Sequence, residues 1–209
     1  MSDPQVSQVD LLIVGAGPAG LLLALWASQF NICARIIDDK HTRIEKGQAD
    51  GLHPRTLEVL DSFGLGDTFL REACPITEIC SWVRKVMSHG MLHVDTEYQN
   101  PDPADETRIK RGDRVAAQPS GLSRFAQVSL NQGTTEHIFL DSLAATGRLK
   151  VDRSLTPEEL HIDENLLDDH DSYPLTLVLR KLETDEAAAK IRLEGKPYHI
   201  LSTTLAFTT

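Results

Sequence analysis

Two short apolar runs lie near the amino end of the chain, separated by a glycine-rich turn and an apolar segment of helical length. The first run, Leu11 to Val14, consists of branched apolar residues, which is typical of a strand in a parallel sheet covered on both faces. Pro18 opens the following segment, and proline is favoured at the first helical position because its missing N–H costs nothing there. The second run, Ala34 to Asp38, ends in an acid. The pattern predicts a strand, a helix and a second strand within residues 9–38.

The turn between the first strand and the helix carries three glycines at Gly-x-Gly-x-x-Gly spacing. In dinucleotide-binding folds the first glycine permits the turn, the second lets the backbone approach a pyrophosphate, and the third allows helix and strand to pack closely. The amino end of the helix adds unpaired N–H groups and the positive end of the helix dipole. The predicted phosphate-binding residues are Gly15, Gly17, Pro18, Ala19 and Gly20.

The second strand ends in an acid about 20 residues beyond the turn, where a carboxylate accepts hydrogen bonds from a ribose in such folds. Asp38 is the residue predicted to contact the ribose. If the second strand is shifted by one residue, Asp39 takes that position instead. The alternative is a glycine-rich turn followed by a solvated pair of acids. The order of strand, turn, helix, strand and acid favours the nucleotide site.

The rest of the chain mixes helical and strand-like patterns. Leucines recur at helical spacing behind Pro54, and Gly64 and Gly66 are predicted to end that helix. Residues 155–171 hold seven acids and no Lys or Arg, which predicts a solvated loop or excursion and not a binding face. Strand-like runs lie at about residues 76–86 and 91–96.

Charge and composition narrow the function classes. A formal net charge of −10 at pH 7 argues against nucleic acid or an anionic membrane as a partner. The long uncharged segment between Asp10 and Arg35 is interrupted by glycines and a proline, so we expect no membrane span there. The three cysteines are odd in number and lack metal spacing, which predicts a reducing compartment, the cytoplasm. The eight histidines form no ligand set, so no metal site is predicted.

The segment behind the second strand resembles a known enzyme family. Residues 47–52 (Gly-Gln-Ala-Asp-Gly-Leu), followed by residues 55–58 (Arg-Thr-Leu-Glu), are similar to the FAD-dependent phenol hydroxylases, which are phenol 2-monooxygenase-like relatives of para-hydroxybenzoate hydroxylase. Residues 121–133 resemble the family's strand and turn before a helix at about 134–145, and residues 173–180 resemble a sheet strand. The resemblance implies an α/β fold, a Rossmann-like FAD-binding domain with a parallel sheet, and an incomplete β-rich part of a substrate domain.

The resemblance also implies roles for four residues. Asp50 matches the aspartate that acts as a base at the substrate hydroxyl, although without the resemblance it reads as a turn residue. Arg55 matches an arginine over the FAD phosphate or ribose, whereas the alternative is an exposed arginine paired with Glu58. Gln132 is implied to contact the flavin, and Gln48 is assigned to the cofactor as well.

The implied activity is hydroxylation of a small phenolic substrate with FAD, NADPH and molecular oxygen, in a family that includes homodimers. The family's later Asp-Gly and Gly-Asp motifs are missing, so we expect one truncated FAD-binding domain over residues 1–209. A catalytically silent FAD-binding remnant is one alternative. The other is an NAD-binding Rossmann domain, but that reading gives no role to the Gln-Ala-Asp-Gly and Asn-Gln-Gly segments.

Overall fold

The computed structural model describes residues 6–45, 49–83, 110–117, 121–169, 171–192 and 204–205. The chain divides into two compact units. The first unit comprises Met1–Ala49 and Asn131–Thr209, and the second comprises Asp50–Leu130. The sequence predicts a single domain over residues 1–209, and this division into compact units does not test that prediction.

The helices and strands are numbered in chain order. The first part of the chain contains β1 (Leu11–Val14), α1 (Pro18–Gln29), β2 (Ala34–Asp38), β3 (Gly51–Leu52), α2 (Pro54–Ser62), α3 (Gly66–Glu72), β4 (Cys74–Pro75) and β5 (Glu78–Val83). The remainder contains β6 (Lys110–Ala116), β7 (Val128–Ser129), α4 (Gln132–Thr146), β8 (Val151–Arg153), β9 (Leu155–Ile162), β10 (Leu175–Lys181), α5 (Thr184–Arg192) and β11 (Thr204–Leu205). A 3₁₀ turn covers Glu164–Leu166.

The first unit is built on a four-stranded sheet in the order β11-β1-β2-β8. β1 pairs with β2 in parallel, and β2 pairs with β8 in parallel. β11 pairs antiparallel with β1 on its other side. The predicted β1–α1–β2 unit and its parallel sheet are therefore confirmed, and the carboxyl ends of β1, β2 and β8 lie along one edge.

The core of the first unit lies where α1 packs on this sheet and α4 packs on α1. Ile13 and Ile36 of the strands, Leu21 of α1 and Leu143 of α4 are all buried. Burying branched apolar side chains in this way is the main favourable term for the fold, at about 1.5–3 kcal/mol for each.

Helix α4 begins two residues before the predicted start near Thr134. The Asn131 side chain caps it, because its Oδ1 accepts a hydrogen bond from the Gly133 N–H at 2.9 Å. The helix ends before Gly147, whose φ of +66° is the left-handed conformation that glycine adopts without strain. The starting position matters for the site because it puts Gln132 in the first turn.

The first half of the acid-rich segment forms the strand β9, so a loop is wrong there, while the predicted exposure to solvent is confirmed over most of the strand. β9 pairs antiparallel with β10 in a two-stranded ribbon. Leu160 faces Leu177 and Ile162 faces Leu175 across the ribbon, and such cross-strand apolar pairs stabilise a sheet. The acids of β9 are exposed, and Leu160 and Ile162 are exposed as well. The density of acids therefore indicated the exposure of this segment but not its pairing with β10.

The second unit contains a three-stranded sheet, β3-β7-β4, and the pair β5-β6. Leu57, Leu60 and Phe69 of α2 and α3 form its buried core. Gly64, with φ +73°, follows the end of α2 as predicted, but Gly66 begins α3 instead of ending a helix. The predicted strand at 76–86 is confirmed over β5, while the run at 91–96 lies outside the described residues.

Candidate cofactor site

Two of the three glycines in the turn are required by the fold itself. Gly15 has φ +101°, which disfavours any residue with a side chain. A Cβ on Gly20 would lie 2.0 Å from the Gly15 carbonyl oxygen and 3.3 Å from Cγ2 of Ile13. The first glycine therefore permits the turn and the third permits close packing of α1 on β1, as the spacing predicts.

Gly17 is different because no described residue excludes a side chain there. Its φ is −77°, and a Cβ at this position would meet no atom within 4 Å. Gly17 is also the residue that precedes the first turn of α1, and no side chain caps that helix end. The space above Gly17, beside uncapped N–H groups at the positive end of the α1 dipole, fits a pyrophosphate.

Asp38 is buried directly beside this turn. Only 3% of the residue is exposed, and its Oδ2 accepts a hydrogen bond from the Ala16 N–H at 2.6 Å. Its Oδ1 accepts another from the Lys40 N–H at 2.9 Å. The predicted acid is thus tied to the glycine turn, whereas Asp39 is only half-buried. The contact of Asp38 with a ribose stays a prediction.

Two cations flank the Asp38 carboxylate, and the sequence reasoning missed both. Arg153, which pairs with Asp38 in the β2–β8 register, places Nη1 3.3 Å from Oδ1. Lys40 places Nζ 3.8 Å from the same oxygen. No local signal marks Arg153, because β8 is a short, mostly charged strand (Val-Asp-Arg) and its pairing with β2 comes from tertiary structure.

Gln132 lies in the first turn of α4, and Glu136, one helical turn later, is a second buried acid. Only 3% of Glu136 is exposed; its Oε1 accepts a hydrogen bond from Nε2 of Gln132 at 3.2 Å, and its Oε2 accepts one from the Ile44 N–H at 3.4 Å. Burial raises the pKa of Glu136 above its ordinary value, although these hydrogen bonds and the charges of Lys40 and Arg153 act to lower it.

The segment after β2 packs closely on the first turn of α4. A Cβ on Gly133 would lie 2.6 Å from the Ile44 carbonyl oxygen and 2.8 Å from that of Glu45. Nη1 of Arg43 donates a hydrogen bond to the Gly133 carbonyl oxygen at 3.1 Å. The chain leading from β2 toward the Gln-Ala-Asp-Gly segment is therefore fixed to the helix that carries Gln132.

Two of the remaining predicted residues, Asp50 and Arg55, belong to the second unit. Asp50, in the second unit, is exposed, and its carbonyl oxygen accepts a hydrogen bond from the Leu130 N–H at 2.7 Å. The Arg55 side chain is 86% exposed, with Nη1 2.6 Å from Oε2 of Glu58. This is the ion pair that the alternative interpretation predicts, and the contact of Arg55 with FAD stays a prediction. Gln48 lies outside the described residues.

Comparison with known families decides between FAD and NAD. The family model described as FAD binding domain matches residues 8–168. The chain belongs to the FAD binding domain family. This FAD binding domain therefore has the fold class predicted for it, and the match supports FAD over the NAD alternative.

Relatives with curated descriptions are flavoprotein monooxygenases. The domain is 35% identical over 183 residues to a 3-hydroxybenzoate 4-monooxygenase of Comamonas testosteroni, covering 87% of this chain and 25% of that protein. It is 32% identical over 176 residues to a phenol 2-monooxygenase of Aspergillus fumigatus, covering 84% of this chain and 25% of that protein. The chain thus spans about a quarter of the length of these relatives, and both support the stated resemblance.

Solved structures agree on the fold. A p-nitrophenol 4-monooxygenase from Pseudomonas putida superposes with a TM-score of 0.58 at 19% identity, covering 81% of this chain and 36% of that one. Aklavinone-11 hydroxylase, in a complex with FAD and aklavinone, gives a TM-score of 0.58 at 18% identity, covering 84% of this chain and 30% of that one. At these identities the likeness shows a shared fold.

None of the described helices has the length and apolar character that a membrane crossing requires. Across the same described ranges, no three or more His, Cys, Asp or Glu side chains gather as potential metal ligands.

Proposed function

We propose that the first unit binds the ADP half of FAD, with the pyrophosphate at the glycine turn and the ribose at Asp38. The observation that carries this proposal is the open space at Gly17, which lies at the uncapped start of α1 next to the buried Asp38. The chain's net charge is −10, so a phosphate would be held here by local N–H groups and the helix dipole and not by a basic surface.

Different residues of the site are proposed to contact the phosphates and the ribose. Gly17, Pro18 and Ala19 would place the backbone against the phosphates. Each oxygen of the Asp38 carboxylate accepts a hydrogen bond from a backbone N–H, and Oδ1 also faces the cations Arg153 and Lys40. Oδ2 is therefore the oxygen proposed to accept a hydrogen bond from a ribose hydroxyl. Asp39 is the second candidate for that hydroxyl. Ala16 is part of this arrangement because its N–H fixes the Asp38 carboxylate against the turn.

We further propose that the whole protein hydroxylates a small phenolic substrate. In such enzymes FAD would accept electrons from NADPH and, once reduced, activate molecular oxygen. A phenol has a pKa near 10, so it is protonated at neutral pH. Its ring is then a poor donor of electrons unless a base takes the hydroxyl proton. Asp50 is the proposed base, and Gln48, Arg55 and Gln132 are the proposed further contacts to FAD. We also propose that the whole protein is located in the cytoplasm and forms a homodimer.

The test of the nucleotide site is a matched pair of glycine substitutions. Gly17→Val should abolish measurable binding of ADP and FAD by the purified chain, because the added side chain fills the space proposed for the pyrophosphate. Gly51→Val is the control, since a Cβ there also meets no atom within 4 Å and Gly51 belongs to the second unit. Unchanged affinity in a folded Gly17→Val protein would overturn the site.

A further inference from the structure

Arg153 is the last residue of β8, and it lies beside the acid proposed to bind the ribose. The parallel register of β2 and β8 pairs Asp38 with Arg153. Nη1 of Arg153 lies 3.3 Å from Oδ1 of Asp38, and the side chain of Asp38 is only 2% exposed. A carboxylate buried to this extent is costly unless it is paired and hydrogen-bonded. The ion pair is therefore part of what keeps the proposed ribose acceptor in place.

The guanidinium of Arg153 is itself held by the segment that follows β2. The same Nη1 donates a hydrogen bond to the Thr42 carbonyl oxygen at 3.3 Å. The Ser154 N–H donates another to the Lys40 carbonyl oxygen at 3.2 Å, so the backbone after Arg153 is tied to the same segment. Nη1 of Arg153 therefore bridges Oδ1 of Asp38 and the Thr42 carbonyl oxygen.

The two oxygens of the Asp38 carboxylate have different surroundings. Oδ1 accepts a hydrogen bond from the Lys40 N–H at 2.9 Å and also faces the side chains of Arg153 and Lys40. Oδ2 accepts a hydrogen bond from the Ala16 N–H at 2.6 Å, on the side of the glycine turn. A carboxylate oxygen has two lone pairs, so Oδ2 can accept a second donor. The cations thus lie at the oxygen that is not proposed to contact the ribose.

The two cations at Oδ1 are not equivalent. Nζ of Lys40 lies 3.8 Å from Oδ1 of Asp38 and 3.8 Å from Oδ1 of Asp39, so its charge is shared by two acids. A guanidinium is planar and carries its N–H donors in fixed directions, whereas an ammonium is a point charge on a flexible stem. Arg153 is therefore the cation better suited to fixing the orientation of the Asp38 carboxylate.

We propose that Arg153 is a positioning residue that orients the Asp38 carboxylate so that Oδ2 accepts a hydrogen bond from a hydroxyl of the adenosine ribose. Arg153 acts through Oδ1 and needs no contact of its own with the nucleotide. The inference rests on the proposed function, because it needs the ribose at Asp38. It predicts that Arg153 affects the recognition of the ribose hydroxyls and not the binding of the phosphates.

The experiment measures the dissociation constants of ADP and of 2′,3′-dideoxy-ADP, which lacks both ribose hydroxyls, for the purified chain and its variants. The unmodified chain should bind ADP at least about tenfold more tightly than dideoxy-ADP, the effect of one charge-assisted hydrogen bond. Arg153→Met should bring this ratio below about threefold, because the carboxylate is no longer held for the hydroxyl. The affinity for dideoxy-ADP should stay within about twofold of that of the unmodified chain.

Arg35→Met is the matched control. Arg35 and Asp152 form another arginine–aspartate ion pair between β2 and β8, with Nε 2.7 Å from Oδ2. Arg35 lies near the start of β2, at the opposite end of the strand from Asp38. Its replacement should leave the ratio of the two dissociation constants within about twofold of that of the unmodified chain.

The outcomes separate this inference from the function on which it rests. An unchanged ratio in Arg153→Met overturns the proposal, whether both affinities fall together, as for a merely structural residue, or neither affinity changes. If the unmodified chain binds neither nucleotide, the proposed nucleotide site fails and this inference fails with it. If it binds both equally well, the ribose contact of Asp38 is wrong and this inference fails for that reason.

A second variant applies if Arg153→Met does not fold. Arg153→Lys keeps a positive charge at this position but not the planar guanidinium that bridges Asp38 and Thr42. The preference for ADP over dideoxy-ADP should still fall, by about threefold. A folded Arg153→Lys protein with the ratio of the unmodified chain would overturn the proposal.

Discussion

The Asp38 carboxylate joins the end of β2 to the glycine turn, and its effect on nucleotide binding can be isolated. Asp38→Asn keeps one oxygen acceptor but removes the charge. We expect ADP to bind more weakly by about 1–3 kcal/mol, the usual loss for a charge-assisted hydrogen bond. Calorimetric titration measures this change. Asp39→Asn is the control, and an effect confined to Asp39→Asn would place the ribose acceptor one residue later.

Glu136 should make stability depend on pH in a defined direction. Burial raises its pKa above the ordinary 4.5, so the folded chain holds this proton over a range in which the unfolded chain has lost it. The stability that the group contributes is fully present below pH 4.5 and is lost as the pH rises through the folded-state pKa.

Glu136→Gln removes that proton equilibrium. As the pH rises, the free energy of unfolding of the unmodified chain should therefore fall relative to that of the variant. Both proteins keep Lys40 and Arg153, so these charges do not cause the difference. Urea denaturation of both proteins, at several values from about pH 4 to pH 8, measures the difference. Parallel stability curves would contradict the assignment of a raised pKa to Glu136.

At the scale of elements, the contact between β1 and α1 depends on the third glycine of the turn. Alanine usually stabilises a helix relative to glycine by about 0.5–1 kcal/mol. Gly20→Ala should do the opposite, because its Cβ would lie 2.0 Å from a backbone oxygen. We expect a loss of about 1–3 kcal/mol of stability, as for other overpacked sites. Thermal unfolding measures it, with Gly17→Ala as a control that leaves stability nearly unchanged; equal melting temperatures would refute the close packing.

Strong local patterns made several elements predictable. β1 and β2 have the predicted bounds, since an apolar run, a glycine turn and Pro18 each restrict the backbone locally. The helix behind Pro54 was predictable for the same reason. α3 was missed because Gly66 suggests a helix end, whereas here it allows close approach to Asp61: a Cβ would lie 2.5 Å from Oδ1 of that residue.

The site was only partly predictable, because its side chains come together through tertiary structure. The spacing of the glycines indicated the turn and the position of Asp38. Nothing local indicates that Arg153, more than one hundred residues later, pairs with Asp38, since this depends on β8 lying beside β2. The contact between Glu136 and the Ile44 N–H depends in the same way on the packing of α4.

At the scale of the whole molecule, the proposed base can be tested only in a protein of the relatives' full length, of which this chain spans about a quarter. In such a protein Asp50→Ala should retain flavin but lose hydroxylation of a phenol by about 10²–10⁴-fold, the usual contribution of a general base. Product formation and flavin absorbance are the measurements. Asp67→Ala, an exposed acid of the same unit, is the control. Unchanged product formation would leave Asp50 as a turn residue only.

The most direct test of the account maps ADP onto the backbone of the purified chain. Amide signals followed by NMR during a titration with ADP should shift most at Ala16, Gly17 and Ala19, with smaller changes next to Asp38. This result is expected because the proposal places the pyrophosphate at the uncapped start of α1. If ADP saturates the chain while the largest shifts lie outside the glycine turn, the assignment of the nucleotide site is wrong.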